Sequence, residues 1–331
     1  MLTIALDVMG GDDAPQVVLE GARHYLDDAS AADLSLVGPP DLLRSFVESL
    51  APEQAAKVKS VPASEQIGFD EHPADAVRRK PDSSIVVAAK LIKDGLADVF
   101  FSAGSTGAVM AAATLFLRRV KGVSRPAIAT LIPTRKAPVL MLDSGANADV
   151  KPEYLVDFCI LAEVYCRELL GRPKPRIALL NIGEEASKGS ELYQKAHRLL
   201  KANPAFIGNI EGRDLFSGDF DAFVCDGFSG NVVLKTIEGT AGFMMHELKD
   251  GFKSSLRTKL GAALALPALK PLKAKMSAEV AGAAPLLGVR GNVLIGHGSS
   301  SAAAIYYGLK QSAALAEAKL AAKIEAAFNG R

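Results

Sequence analysis

Six short segments of the chain combine glycine with Ser, Thr, Asn or Asp directly after an apolar run. They are Met9-Gly10-Gly11-Asp12, Ser102-Ala103-Gly104-Ser105-Thr106-Gly107, Asp143-Ser144-Gly145-Ala146-Asn147, Asn181-Ile182-Gly183-Glu184-Glu185, Asp226-Gly227-Phe228-Ser229-Gly230-Asn231 and Gly296-His297-Gly298-Ser299-Ser300. Glycine lets backbone approach an anion, a following helix aims its free N–H groups at the same point, and hydroxyl and amide side chains add donors. One such turn is ordinary loop and N-cap chemistry; six together point to an anion-binding edge. The candidate ligands are Gly10, Gly11, Asp12, Ser102, Gly104, Ser105, Thr106, Asp143, Asn147, Asp226, Ser229, Gly230 and Asn231. Lys188, Arg213 and Lys235 follow such turns and could reach a bound oxyanion, while His297 is the histidine set at a strand end.

The common nucleotide fingerprints are missing. No GxxxxGK[ST] follows a strand and no GxGxxG opens the first helix, which favours a small phosphate over a nucleoside triphosphate or dinucleotide. The five histidines have no metal-ligand spacing, so neither metal nor cofactor is expected. Cys159, Cys166 and Cys225 lie in apolar runs without a CxxC pair and read as reduced core cysteines.

The elements that must position these turns alternate along the chain. Strands are predicted at residues 3–8, 34–37, 98–102, 127–132, 138–142, 176–181, 221–225 and 292–296, several of them apolar without alternation, as a strand covered on both faces requires. Helices lie between them, with Pro15, Ser83 and Pro152 as starts and Gly95 as a stop. This is a doubly wound, mostly parallel α/β sheet in three layers, whose ligands belong at the carboxyl ends of the strands. A last helix over 300–328 carries a stripe of Ile305, Leu309, Ala313, Ala316, Leu320, Ile324 and Phe328, read as core or a dimer seam.

One main domain over 1–331 is expected, with an inserted helical projection at about 240–288 where the βα rhythm stops. The 331 residues sum to a formal charge of +1, which argues against a globally basic nucleic-acid binder. Residues 249–275 nevertheless carry +6 around the uncharged run Leu260–Leu269. Lys253, Arg257, Lys259, Leu264, Leu266, Lys270 and Lys273 are therefore candidates to meet an anionic membrane or an acidic protein. No signal peptide and no membrane span are read, so a cytoplasmic protein is expected.

In order, the motifs Ile4–Asp12, Ser102–Ala108, Leu142–Asn147, Leu180–Glu185, Glu211–Asp214, Cys225–Asn231 and His297–Ser300 resemble those of the bacterial phosphate acyltransferases of phospholipid synthesis. The match runs from residue 1 to about 310. One departure is Ser105, where the family usually has Asn; a hydroxyl still donates but lacks the second amide proton. The resemblance implies a fold akin to phosphotransacetylases, transfer of a long-chain acyl group from acyl carrier protein to inorganic phosphate, and release of free carrier. It also implies a homodimer, peripheral contact at the inner face of the membrane, and a membrane glycerol-3-phosphate acyltransferase as the next enzyme. On this reading the turns at Ser102–Gly107 and Ser229–Asn231 hold phosphate, Asn181 and Lys188 polarise the carbonyl or the phosphate, and His297 serves the leaving thiolate. A short-chain acyl-CoA phosphotransacetylase and a non-catalytic membrane-surface scaffold are the competing readings.

Overall fold

The computed structural model describes residues 2–276 and 283–330, with side chains described up to 270 and again from 283. The chain opens with β1 (Thr3–Asp7), α1 (Gln16–Leu26), β2 (Asp33–Gly38), α2 (Pro40–Glu48), α3 (Pro52–Ala55) and β3 (Val58–Pro62). It continues with α4 (Pro73–Arg79), α5 (Ser84–Lys93), β4 (Val99–Ser102), α6 (Thr106–Ala112), β5 (Ala127–Ile128), β6 (Thr130–Ile132) and β7 (Val139–Leu142). Then come α7 (Pro152–Leu169), β8 (Ile177–Leu180), α8 (Glu191–Leu200), β9 (Phe206–Ile210), β10 (Ala222–Val224), α9 (Gly227–Lys253) and α10 (Leu256–Met276). The last elements are β11 (Ala284–Leu287), β12 (Asn292–Ile295), α11 (Ala302–Glu317) and α12 (Leu320–Asn329).

The expected α/β class holds, but the strands divide between two sheets. The larger has the order β3-β2-β1-β4-β12-β11-β5 and the smaller β6-β7-β10-β8-β9. Within each, the strands that lead into the glycine-rich turns run parallel. The run 127–132, predicted as one strand, is the crossing point. Ala127 and Ile128 pair with β11, while Thr130, Leu131 and Ile132 pair with β7.

Three strands were not predicted. β3 and β9 are edge strands with polar or glycine positions, Lys59 and Ser60 in one and Gly208 and Asn209 in the other. β11 carries Pro285 and pairs antiparallel with both neighbours. It also takes Ala284–Leu287 out of the segment expected to project, because these residues lie inside the larger sheet.

Alternation assigns the layers. In β7, Leu140 and Leu142 face the core shared with α1, α7, α11 and α12, whereas Val139 and Met141 face a second cluster with Phe220 and Phe223. A third cluster packs α4, α5 and α6 on the other face of the larger sheet. The first cluster reaches both sheets, so α7, with Leu155, Phe158 and Leu161 fully buried, is the common wall between them. The predicted terminal helix is broken at Lys319, whose φ is 51°, into α11 and α12. Ile305, Leu309, Leu320, Ile324 and Phe328 of its stripe are core on both sides of the break.

Val233, Leu234 and Ile237 pack the first part of α9 on the smaller sheet. Beyond them α9 and α10, joined through Ser254 and Ser255 and packed on each other, form a helical hairpin whose large apolar side chains are exposed. Leu264 is 85% and Leu256 80% exposed, which is far from the core behaviour expected of leucine. Lys253, Arg257, Lys259, Leu266 and Lys270 are exposed with them; the side chain of Lys273 lies outside the described residues. All three cysteines are free and buried, and burial pushes the thiol of Cys166 up to about 12, which leaves it unreactive.

Candidate active site

The turns of the larger sheet are built around a buried carboxylate. Asp7 ends β1 and is 1% exposed, with one oxygen accepting from the Met9 N–H (3.0 Å) and the other from the Ser102 hydroxyl (2.6 Å). Ser102 Oγ in turn accepts the Gly104 N–H at 3.0 Å. Burial holds the Asp7 carboxyl above the ordinary carboxylate range, with the hydrogen bonds from Ser102 and Met9 opposing. Gly10 is wedged into this network: a Cβ there would lie 2.6 Å from the Gly104 nitrogen and 2.7 Å from an Asp7 oxygen. Gly11, at φ +125°, then lets the Asp12 N–H reach the Gly298 carbonyl at 2.8 Å. The Gly296 N–H donates to the Ser102 carbonyl at 2.8 Å, so the turns after β1, β4 and β12 form one knot.

Ser105 caps α6, its oxygen accepting the Ala108 N–H at 3.4 Å. Thr106 and Gly107 head that helix, where N–H groups have no acceptor within the helix itself. Thr106 is exposed. Ser102, by contrast, is fully buried and its hydroxyl proton goes to Asp7.

The smaller sheet repeats the device with Asp143. Its carboxylate is fully buried and accepts from the N–H groups of Ile128 (3.0 Å), Gly145 (3.3 Å), Ala146 (3.0 Å) and Asn147 (2.7 Å), and from the Asn147 side-chain amide (2.9 Å). Burial raises this carboxyl too, against the pull of those donors. The second amide proton of Asn147 goes to the Pro126 carbonyl at 2.8 Å. Asp143 and Asn147 therefore shape the turn from inside. The link from Ile128, in the larger sheet, to Asp143 fixes the turn at the crossing between the sheets.

Asp226 caps α9, taking the N–H (2.7 Å) and hydroxyl (2.9 Å) of Ser229. The Tyr193 hydroxyl, from α8, donates to the same carboxylate and accepts the Asp226 N–H. Gly230 makes a close approach, as a Cβ there would lie 1.9 Å from the Asp143 carbonyl oxygen. Asn231 is exposed at this edge, beside Gly145. Farther along the sheet, Asn181 ties the turn after β8 together: its amide donates to the Lys188 carbonyl (3.1 Å) and its oxygen accepts the Ile182 N–H (2.8 Å). The Lys188 ammonium is 4.0 Å from Glu185. Arg213 lies beyond the edge strand β9, paired with Glu211 at 3.2 Å.

His297 is exposed, with Nδ1 2.8 Å from Ser299 Oγ and Nε2 3.2 Å from the ammonium of Lys235 on α9. That contact joins the two loop clusters. The structure thus divides the residues nominated from sequence. Gly11, Ser102, Asp143, Asn147, Asp226 and Gly230 hold the turns in shape, and Asp12, Thr106, Lys188, Asn231 and His297 present groups outward.

Residues not singled out include Asp7, Tyr193 and the segment at 66–71. There Gln66 donates to the Met9 carbonyl (2.8 Å), Lys80 clamps Glu71, and Phe69, 56% exposed, lies against Gly298. Asp7 is legible as a carboxylate closing the apolar run Ile4–Leu6; the other two depend on contacts from distant sequence.

Two sheets whose parallel strands end in glycine-rich turns make a fold that is shared with phosphotransacetylases. A phosphotransacetylase from Staphylococcus aureus aligns over 95% of this chain and 94% of its own, with a TM-score of 0.61 at 15% identity. A 4-hydroxythreonine-4-phosphate dehydrogenase from Klebsiella pneumoniae shares the fold less closely, at a TM-score of 0.53 and 12% identity over 96% of this chain and 98% of its own. Residues 2–323 match the model of the family described as fatty acid synthesis protein. The phosphate acyltransferase of Heliobacterium modesticaldum is 46% identical over 93% of this chain and 92% of its own length, and that of Dictyoglomus turgidum 44% over 99% and 98%. The chain belongs to the phosphate acyltransferase family and is a transferase.

Proposed function

We propose that the protein transfers a long-chain acyl group from the thioester of acyl carrier protein to inorganic phosphate, giving acyl phosphate and free carrier for phospholipid synthesis. The observation that carries this reading is a pair of N–H-rich turn clusters, 102–107 with 296–300 on one sheet and 143–147 with 226–231 on the other, joined where Lys235 of α9 reaches His297. Inorganic phosphate is an oxyanion nucleophile near neutral pH and a thiolate leaves readily, so the chemistry asks mainly for position and charge. The N–H groups of Thr106 and Gly107 and the Thr106 hydroxyl orient phosphate. The Asn231 amide and Lys188 stabilise the oxyanion that forms on the acyl carbonyl. His297 gives the departing sulfur a hydrogen-bond donor.

The exposed leucines and basic residues of the α9–α10 hairpin suit peripheral contact with an anionic membrane, with the acidic carrier protein as the alternative visitor. No helix among the described residues is long and apolar enough to cross a membrane. The exposed apolar face of α9 at Phe243 and Met244 suits a homodimer contact. Product made at the membrane surface would be passed to a membrane glycerol-3-phosphate acyltransferase.

The test mixes purified protein with long-chain acyl carrier protein and phosphate and follows free carrier thiol. Phosphate-dependent release is expected. Its absence refutes the reading, and equal turnover of a short acyl-CoA would reassign the donor. Lys188→Ala is expected to lower turnover; unchanged turnover at saturating phosphate removes Lys188 from the site.

A further inference from the structure

Three basic residues follow strand-end turns of the smaller sheet, and their surroundings separate them. Lys188 faces Glu185 within its own turn, and Arg213 sits past the edge strand with Glu211. Lys235 belongs to α9, which leaves β10 beside β7. Its ammonium is 3.2 Å from His297 Nε2, on a turn of the larger sheet, and 2.7 Å from Glu238. Lys235 is four residues beyond Asn231, so the two share one face of the helix. Asn231 neighbours Gly145, and this face therefore runs from the 143–147 turn to the 296–300 turn.

An ammonium has three protons to donate and no acceptor. Glu238 accounts for one among the described residues, and the His297 imidazole lies beside the ammonium. Nδ1 of the same ring accepts the Ser299 N–H at 3.3 Å and lies 2.8 Å from Ser299 Oγ. The side chain is about half exposed, at 48%, and its flexible stem can swing from the imidazole to an anion in the turns.

We propose that Lys235 is the cation that binds the attacking phosphate, reaching from the smaller sheet to an anion seated on the turns of the larger one. This rests on the phosphate-dependent acyl transfer argued above. In that step a phosphate oxygen bonds to the acyl carbon, the carbon–sulfur bond breaks, and its electron pair leaves on sulfur. The proton of hydrogen phosphate ends on the thiol, so the step balances without another reactant. Lys235 stays protonated throughout, offsets the charge of the nucleophile and holds it in line with the carbonyl.

The test measures thiol release from long-chain acyl carrier protein at varied phosphate for the wild type, Lys235→Ala and Lys235→Arg. No phosphate-dependent release by the wild type refutes the parent reading, whatever the variants do. With an active wild type, the alanine variant is expected to raise the phosphate KM about tenfold or more while the carrier KM stays within about twofold. Arginine is expected to recover part of the loss. Titration of inorganic phosphate alone, read by phosphorus NMR line broadening, should show weaker binding by Lys235→Ala. An unchanged phosphate KM, or a change confined to the carrier KM, overturns the proposal. Should the alanine variant fail to fold, Lys235→Gln keeps the stem and removes the charge, and the same outcomes apply to it.

Discussion

The α-carbon of Gly230 lies so close to the carbonyl of Asp143 that a Cβ would sit 1.9 Å from its oxygen. Both atoms are backbone, one in the first turn of α9 and the other in the turn after β7, so neither can rotate away. Gly230→Ala must push the α9 start off the 143–147 turn. A loss of about 2 kcal/mol or more in urea denaturation is expected, together with loss of turnover. A variant as stable and active as the wild type would mean that the approach is slack.

Asp7 makes a different prediction, about pH. Burial raises its carboxyl in the folded protein above the ordinary value of 3.8, so the native state binds this proton more readily than the unfolded chain. This contribution to stability therefore grows as pH falls from neutral through the raised folded value, and is complete below 3.8. Exposed carboxylates such as Asp28, held down at about 2 by Lys310, pull the other way, so the quantity to follow is a difference. The stability of the wild type relative to Asp7→Asn should increase between pH 7 and pH 4.5 in urea melts. A pH-independent difference would show that Asp7 does not titrate in that window.

Much of this site was legible because its chemistry is local in sequence. A glycine-rich turn after an apolar run announces itself, and all six follow strands in the structure. The division into two sheets was not legible, since Ala127–Ile128 and Thr130–Ile132 read as one uninterrupted strand and only their partners differ. Nor was the split between scaffold and presenting residues. Asp143 and Asp12 are alike on paper, but the Asp143 carboxylate is enclosed by N–H groups from 128, 145, 146 and 147, while Asp12 is exposed. Edge strands β3 and β9 escaped for the same physical reason: half-exposed strands need little apolar sequence.

The hairpin offers a test that leaves the core untouched. Lys253, Arg257 and Leu264 are exposed, so replacing them should cost little stability. The double reversal Lys253→Glu with Arg257→Glu is expected to weaken sedimentation with vesicles rich in anionic lipid, the loss shrinking as salt rises. Leu264→Asp should weaken it at all salt concentrations, because it removes apolar insertion and not only attraction. Unchanged sedimentation of both variants would turn attention to the carrier protein, whose binding the same pair can be used to measure.

Tyr193 tests whether the α9 cap is set from outside the helix. Its hydroxyl donates to the Asp226 carboxylate and accepts the Asp226 N–H, two bonds from one group on α8. Burial keeps this phenol above the ordinary tyrosine range, so it remains a donor through alkaline pH. Phenylalanine preserves the ring and deletes both bonds, leaving Asp226 with the donors of Ser229 alone. The expected cost is about 1 to 3 kcal/mol in denaturant, the usual penalty for stranding a partly buried polar group. Because Gly227 and Gly230 pack on the 143–147 turn, a loosened cap also lets Asn231 drift. Tyr193→Phe should therefore lower kcat more than it raises the phosphate KM. A fall in stability without any kinetic change would make Tyr193 a packing residue, and no fall in either would mean that Asp226 and Ser229 suffice to start the helix.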